Sequence, residues 1–178
     1  QAPATSANLG PGFDCLGLAL ELRDHVTFTE AQATSVTVEG EGAAEVSLGS
    51  DHLVVSSFRA AFDERGLTAP EVAVHCRNSI PHGRGLGSSS AAIVTGLVGA
   101  RAMGAGLDDA ALLALATRIE GHPDNVAPAL LGGLTVSWMS EGTGRAVRLD
   151  PASGLQAVVA IPPERLSTAT ARTLLPET

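Results

Sequence analysis

Lysine and tyrosine are absent from this 178-residue chain, and all 11 basic side chains are arginine. Without lysine there is no Walker A loop, no ATP-anchoring lysine of the protein-kinase type and no Schiff base to pyridoxal phosphate. Cysteine is scarce as well. Cys15 and Cys76 stand far apart with no metal-ligand spacing around either, the pattern of buried thiols in a reducing cytoplasm. No run approaches ~18 uninterrupted apolar residues, and the first residues carry neither the basic cluster nor the apolar segment of a signal peptide. A cytoplasmic location is therefore expected. Positive charge is in deficit: the net charge of −8 argues against nucleic-acid wrapping and against a basic membrane patch.

What is present is a chain with 44% hydrophobic and 17% charged residues, rich in Ala, Gly, Val and Leu. Its length allows one large domain, or one domain and a piece of another. Gln1 is not a methionine and Thr178 falls just past the expected start of a helix, so a fragment or processed chain is expected. The patterning predicts strands over Leu16–Glu30, Ser35–Glu39 and Glu71–Arg77, the last with Val72, Val74 and Cys76 facing inward. A helix from Asp51 places Val54, Phe58, Ala61 and Phe62 on one face and stops at Gly66. Ser89–Ala105 is apolar nearly all round and predicts a buried helix. Asp108 is expected to cap the next helix, with Leu112, Leu115, Ala116 and Ile119 as its inner stripe and Glu120 at its end. Three further strands follow, Leu134–Met139, Arg145–Leu149 and Leu155–Ile161, and Ser167 is expected to cap a helix holding Arg172. Strands and helices mix without regular alternation, which predicts an α+β fold.

The most informative segment is Pro81-His82-Gly83-Arg84-Gly85-Leu86-Gly87-Ser88-Ser89-Ser90-Ala91-Ala92. Three alternate glycines run into three serines and then directly into an apolar helix. Such a loop presents backbone N–H groups where a helix N-terminus adds partial positive charge, which makes a phosphate cradle. A helix terminus contributes only ~0.3–2 kcal/mol toward an anion, too little to balance a triphosphate, so a divalent cation is implied. Mg²⁺ takes one or two protein oxygens plus phosphates and waters. Ser89 or Ser90 can supply one oxygen, and Glu120 is the best carboxylate. Taken alone, Glu120 also reads as a solvated helix-end glutamate. His122, Asp124 and Asn125 read equally well as a capped turn, and Asn8 and Asp14 as flanks of the Gly10-Pro11-Gly12 turn.

Considered together, these segments resemble the GHMP small-molecule kinases and, within them, the homoserine kinase family. The glycine–serine loop marks the superfamily. Pro3-Ala4-Thr5-Ser6-Ala7-Asn8-Leu9-Gly10-Pro11-Gly12-Phe13-Asp14, His122-Pro123-Asp124-Asn125-Val126-Ala127-Pro128 and Leu166-Ser167-Thr168-Ala169-Thr170-Ala171-Arg172 carry the closer likeness. The resemblance implies a ribosomal-S5-domain-2-like N-terminal ATP-binding domain over 1–152 and the beginning of a ferredoxin-like C-terminal domain over 153–178. The family's third motif, a glycine-rich loop, would lie beyond Thr178.

The same resemblance implies ATP and Mg²⁺ as co-substrate and cofactor. It implies phosphorylation of the L-homoserine side-chain hydroxyl on the way to threonine. Pro81 through Ala91 would wrap the ATP phosphates, and Ser89 with Glu120 would hold Mg²⁺. Asn8, Asp14, His122, Asp124 and Asn125 would line the amino-acid pocket, with Arg172 on the carboxylate and Thr168 near the hydroxyl. Asn125, where many sister kinases carry an aspartate, would orient the hydroxyl without taking its proton, leaving Asp14 as the residual base. His52 stands where the superfamily commonly has an asparagine near the adenine. Rival readings are another alcohol kinase of the superfamily, a non-catalytic ATP-binding module, and a serine hydrolase, against which stands the absence of a G-x-S-x-G elbow. Oligomeric state is not legible, and a homodimer stays open.

Overall fold

A computed structural model describes residues 1–162. Its organising element is a 19-residue strand, β2 (Gly12–Glu30), against which β1 (Ala2–Leu9) folds back antiparallel. Farther along, β2 pairs with β4 (Val72–Asn78), and at Leu16–Leu18 with β5 (Leu134–Ser140), both antiparallel. The sheet runs β3-β4-β2-β5-β6, where β3 is Ser35–Gly40 and β6 is Thr143–Leu149. Only β3 and β4 run parallel among the described strands. Helix α1 (Leu53–Asp63) lies between them in sequence, as a parallel crossover requires.

The expected α1 face is buried: Val54, Phe58, Ala61 and Phe62 all enter the core, and Phe58 stacks on Phe28 of β2 with ring centroids 5.4 Å apart. Helix α2 (Ser88–Ala100) is buried over most of its surface, as its apolar composition requires. The core fills the space between helices and sheet with Phe58, Ile93, Leu97, Leu112, Val74 and Val126. Both cysteines are free, and burial pushes the Cys76 thiol up to about 11, which leaves it inert. No helix among the described residues is long and apolar enough to cross a membrane.

Four expectations need correction. Helix α2 ends at Ala100, followed by a π-helical turn over Arg101–Ala105 in which Met103 and Gly104 leave helical geometry, Gly104 at φ +107°. Glycine reaches that conformation at little cost, so the regular spiral breaks there. In α3 (Asp109–Glu120) the Asp108 cap forms, its carboxylate accepting the Ala111 N–H at 2.8 Å. Ile119, however, is 36% exposed, because it falls in the last turn where the cover ends; Leu113 is buried in its place. Leu155–Ile161 forms no strand: it pairs with none of the described strands, and an extended segment becomes a strand only when its backbone groups find such a partner. The fourth is the polar cluster after Glu120, which is not a turn but the start of a helix.

That helix, α4 (Pro123–Leu131), begins with proline at its first position, where no N–H is needed, yet holds Pro128 inside. Pro128 cannot donate to the carbonyl of Asp124. That carbonyl instead presses on β2 at Gly17, where a Cβ would stand 2.1 Å from it. Only glycine permits this approach. It brings the N-terminus of α4 down onto the β1–β2 hairpin.

Candidate active site

The glycine–serine loop is tied at both ends before it is shaped in the middle. Ile80 and Leu86 are buried in a small apolar cluster with Ala2, Ala4 and Ala91. Asp24 on β2 accepts the N–H groups of Ser79 and Ile80 at 2.6 and 2.9 Å. Burial raises the Asp24 carboxyl above its ordinary value despite those bonds. Between these ties, Gly83, Gly85 and Gly87 all adopt positive φ, and Gly87 is the residue before α2. No side chain caps α2 and its first turn carries no acidic residue. The N–H groups at the head of this helix therefore remain available to an anion.

Glu120, at the end of α3, reaches this helix head. Its Oε1 accepts the Ser89 hydroxyl at 2.8 Å and the Ser90 hydroxyl at 3.0 Å. One carboxylate and one or two hydroxyls suit Mg²⁺, which takes its remaining ligands from phosphate and water. No cluster of three or more His, Cys, Asp or Glu side chains suited to a metal exists among the described residues. A cation here would thus depend on phosphate oxygens to complete its shell.

Beside Ser88 and Ser89 opens a cavity of about 330 Å³, lined also by Asp24, His52, His82 and Thr95. Burial holds the His52 imidazole below its ordinary pKa, and its Nδ1 has no hydrogen-bond partner among the described residues.

On the other side of the loop lies a second polar cluster, centred on Asp124. This side chain has no exposed surface. Its carboxylate takes the His122 imidazole Nδ1 on Oδ1 and the Asn8 Nδ2 on Oδ2 at 3.2 Å, while the Asn125 Nδ2 lies 3.4 Å from Oδ1. Burial alone would raise its pKa. The hydrogen bond and charge of His122, with the backbone and side-chain N–H groups of Asn125, outweigh that and hold it low. Asp124 is thus an ionised organiser out of reach of solvent, whereas Asp14 is exposed at the hairpin tip. Asn8 and Asp14 both sit at positive φ, +59° and +54°, rare for non-glycine residues, and the Asn8 Oδ1 accepts the Asp14 N–H at 2.8 Å.

The two halves meet at Gly87. A Cβ there would lie 1.9 Å from the Thr5 Oγ1 and 3.2 Å from the Asn125 Oδ1. Thr5 itself donates its hydroxyl to the Asn125 Oδ1 at 2.8 Å and its backbone N–H to the Leu86 carbonyl at 3.0 Å. The structure therefore brings Asn8, His122, Asp124 and Asn125 together, and sets Ser89, Ser90 and Glu120 across the glycine loop from them. Thr168 and Arg172 lie outside the described residues. Thr5 and Asp24 were not singled out from the sequence. Nothing in a threonine within a strand or an aspartate in a long alternating segment signals that its partners lie 120 and 55 positions away.

Residues 52–133 match the family model described as the GHMP kinases N terminal domain. Over 181 residues, 99% of this chain, it is 54% identical to a homoserine kinase of Streptomyces coelicolor. Over 185 residues it is 47% identical to the homoserine kinase of Mycobacterium tuberculosis. The chain spans 59% and 58% of those two proteins. Among solved structures, the homoserine kinase from Cytophaga hutchinsonii superposes with a TM-score of 0.79 at 27% identity, covering 99% of this chain and 59% of that one. A mevalonate kinase shares the fold alone, at TM-score 0.61 and 14% identity, over 83% of this chain and 55% of that one.

Proposed function

We propose that this chain, which matches the GHMP kinases N terminal domain over residues 52–133, belongs to a GHMP kinase, and that the protein transfers the γ-phosphoryl group of ATP to the side-chain hydroxyl of L-homoserine. The product would be O-phospho-L-homoserine, an intermediate on the way to threonine. The observation that carries the reading is the contact at Gly87. It joins an uncapped helix head suited to phosphate and an amide-bearing polar pocket suited to an alcohol.

In this reading, residues Pro81 to Ala91 surround the phosphates with backbone N–H groups, and the cavity beside Ser88 and Ser89 takes the nucleobase. Ser89 and Glu120 would hold Mg²⁺, which when bound neutralises phosphate charge. Asn125 orients the acceptor hydroxyl toward the loop. Its amide has no useful basicity, but phosphoryl transfer through a loose transition state depends mostly on alignment and charge balance. The hydroxyl proton can leave late, to the phosphate itself. Asp14, exposed at the hairpin tip, meets the substrate ammonium, because Asp124 is buried and fully engaged. By the resemblance, Arg172 would pair with the carboxylate and Thr168 would serve the hydroxyl, although both lie outside the described residues.

We read residues 1–152 as a ribosomal-S5-type ATP-binding domain and 153–178 as the start of a ferredoxin-like one. Free thiols and a net charge of −8 support a cytoplasmic enzyme of small molecules over a binder of nucleic acid or membrane. The test is ADP release by the complete native polypeptide with L-homoserine, mevalonate and 4-hydroxybutyrate. Turnover confined to homoserine is expected. Equal turnover of 4-hydroxybutyrate, which lacks the amino group, would exclude the amino-acid pocket.

A further inference from the structure

We infer that Thr5 is a positioning residue for Asn125, its hydroxyl anchoring the carboxamide beside the glycine loop; this rests on the kinase reading above. A carboxamide can be turned over with its N and O exchanged, and only its partners decide between the two. At Asn125 the partners differ in kind. The Asp124 carboxylate, an acceptor only, lies 3.4 Å from the Nδ2, while the Thr5 hydroxyl donates to the Oδ1 at 2.8 Å. A hydroxyl can donate or accept, so the acceptor-only carboxylate decides which end is Nδ2, while the shorter Thr5 bond fixes where the carboxamide sits. The Thr5 side chain has no exposed surface, so bulk solvent does not compete for the bond.

Thr5 does more than hold the carboxamide. Its backbone N–H is bonded to the Leu86 carbonyl, and its Oγ1 fills the space where Gly87 lacks a Cβ. One residue of β1 therefore touches both the phosphate loop and the acceptor-side amide and sets the separation between them. Without the hydroxyl, the Oδ1 of Asn125 loses its donor. The carboxamide can then shift within its pocket, away from the place in which it orients the acceptor hydroxyl. Substrate affinity rests on other groups, so the loss should fall on kcat.

The test is a double-mutant cycle in the complete native polypeptide. Thr5→Val is expected to lower kcat by ~10–10²-fold, the scale of a misplaced reacting group, with the KM for ATP unchanged. Thr5→Ser, which keeps the hydroxyl, should recover most of that loss. In an Asn125→Ala background Thr5→Val should cost nothing further. Equal losses in both backgrounds, or a rise in KM at unchanged kcat, would overturn the role. Thr5→Ala serves in place of Thr5→Val if the latter does not fold. The same cycle read in thermal midpoints needs no turnover: coupling between the two sites is expected, and strict additivity would also overturn the inference. If the wild type fails to phosphorylate homoserine while this coupling stands, the kinase reading fails and the hydrogen bond does not.

Discussion

Ser89 donates its hydroxyl to the Glu120 Oε1 at 2.8 Å, although 31 positions separate the two residues. Each sits at a helix end, Ser89 in the first turn of α2 and Glu120 at the last residue of α3. A carboxylate is not favoured at a helix C-terminus, where the macrodipole is negative. Its placement there makes sense when the opposing helix head and its hydroxyls, rather than its own helix, set its surroundings.

Glu120→Gln keeps the shape and one acceptor but removes the charge. It is expected to lower kcat about 10²-fold or more, a loss of ~3 kcal/mol in the transition state, and to shift the Mg²⁺ dependence to higher concentration. Steady-state assays across a Mg²⁺ series check this. Wild-type turnover at an unchanged Mg²⁺ requirement would remove Glu120 from the metal site.

Gly87→Ala and Gly85→Ala separate two effects that glycine allows. Both residues sit at positive φ, so both substitutions carry ~1–2 kcal/mol of backbone strain. At Gly85 a Cβ meets nothing within 4 Å, whereas at Gly87 it collides with the Thr5 Oγ1. Thermal melts should show Gly87→Ala as distinctly the worse, and nucleotide binding should fall with it. Comparable midpoints for the two variants would mean that the close approach at Gly87 does not matter.

The pH dependence of stability follows from Asp124. Its carboxyl is held low in the folded protein, so the unfolded chain takes up a proton first as pH falls. The stabilisation is therefore fully present above the ordinary carboxyl value near ~3.9 and is lost as pH drops through the lower folded value. Asp124→Asn should cost ~3 kcal/mol at neutral pH, because it strands His122 and Asn8 around a buried site. It should also flatten the acid limb of the melting curve. Parallel acid limbs for wild type and variant would assign the acid sensitivity elsewhere.

Asn125→Asp adds a carboxylate that could serve as a base, and here it is expected to slow the reaction. The new carboxylate would face the Asp124 Oδ1 across the 3.4 Å now spanned by an N–H bond, and would stand close to incoming phosphate. Two carboxylates at that range raise one another's pKa and repel the substrate anion. A several-fold rate gain with a new acidic limb in the kcat profile would show instead that Asn125 occupies the place of a missing base.

Much of the molecule was legible where one segment carries its own reason. The alternation of Val72, Val74 and Cys76, the Asp108 cap and the apolar face of α1 each follow from a few neighbouring residues, and each is found. Helix α4 was not legible, because Pro128 looks like a helix breaker until Gly17 is seen to receive the carbonyl that proline leaves unbonded. Leu155–Ile161 was read as a strand from local composition, but a strand exists only where another offers its edge.

The site divides along the same line. Residue order by itself determined the glycine–serine loop and the buried helix that follows it, since alternate glycines, serines and an apolar run are local chemistry and need no partner to be recognised. It also named Asn8, His122, Asp124 and Asn125 through the family likeness. Tertiary structure alone decided that Asp124 is a buried organiser while Asp14 faces solvent, that Asp24 ties down the loop, and that Thr5 holds Asn125. The physical reason is that burial and hydrogen bonding are properties of pairs. The partners here lie tens of residues apart, and only the packing of α4 on the β1–β2 hairpin brings them within reach.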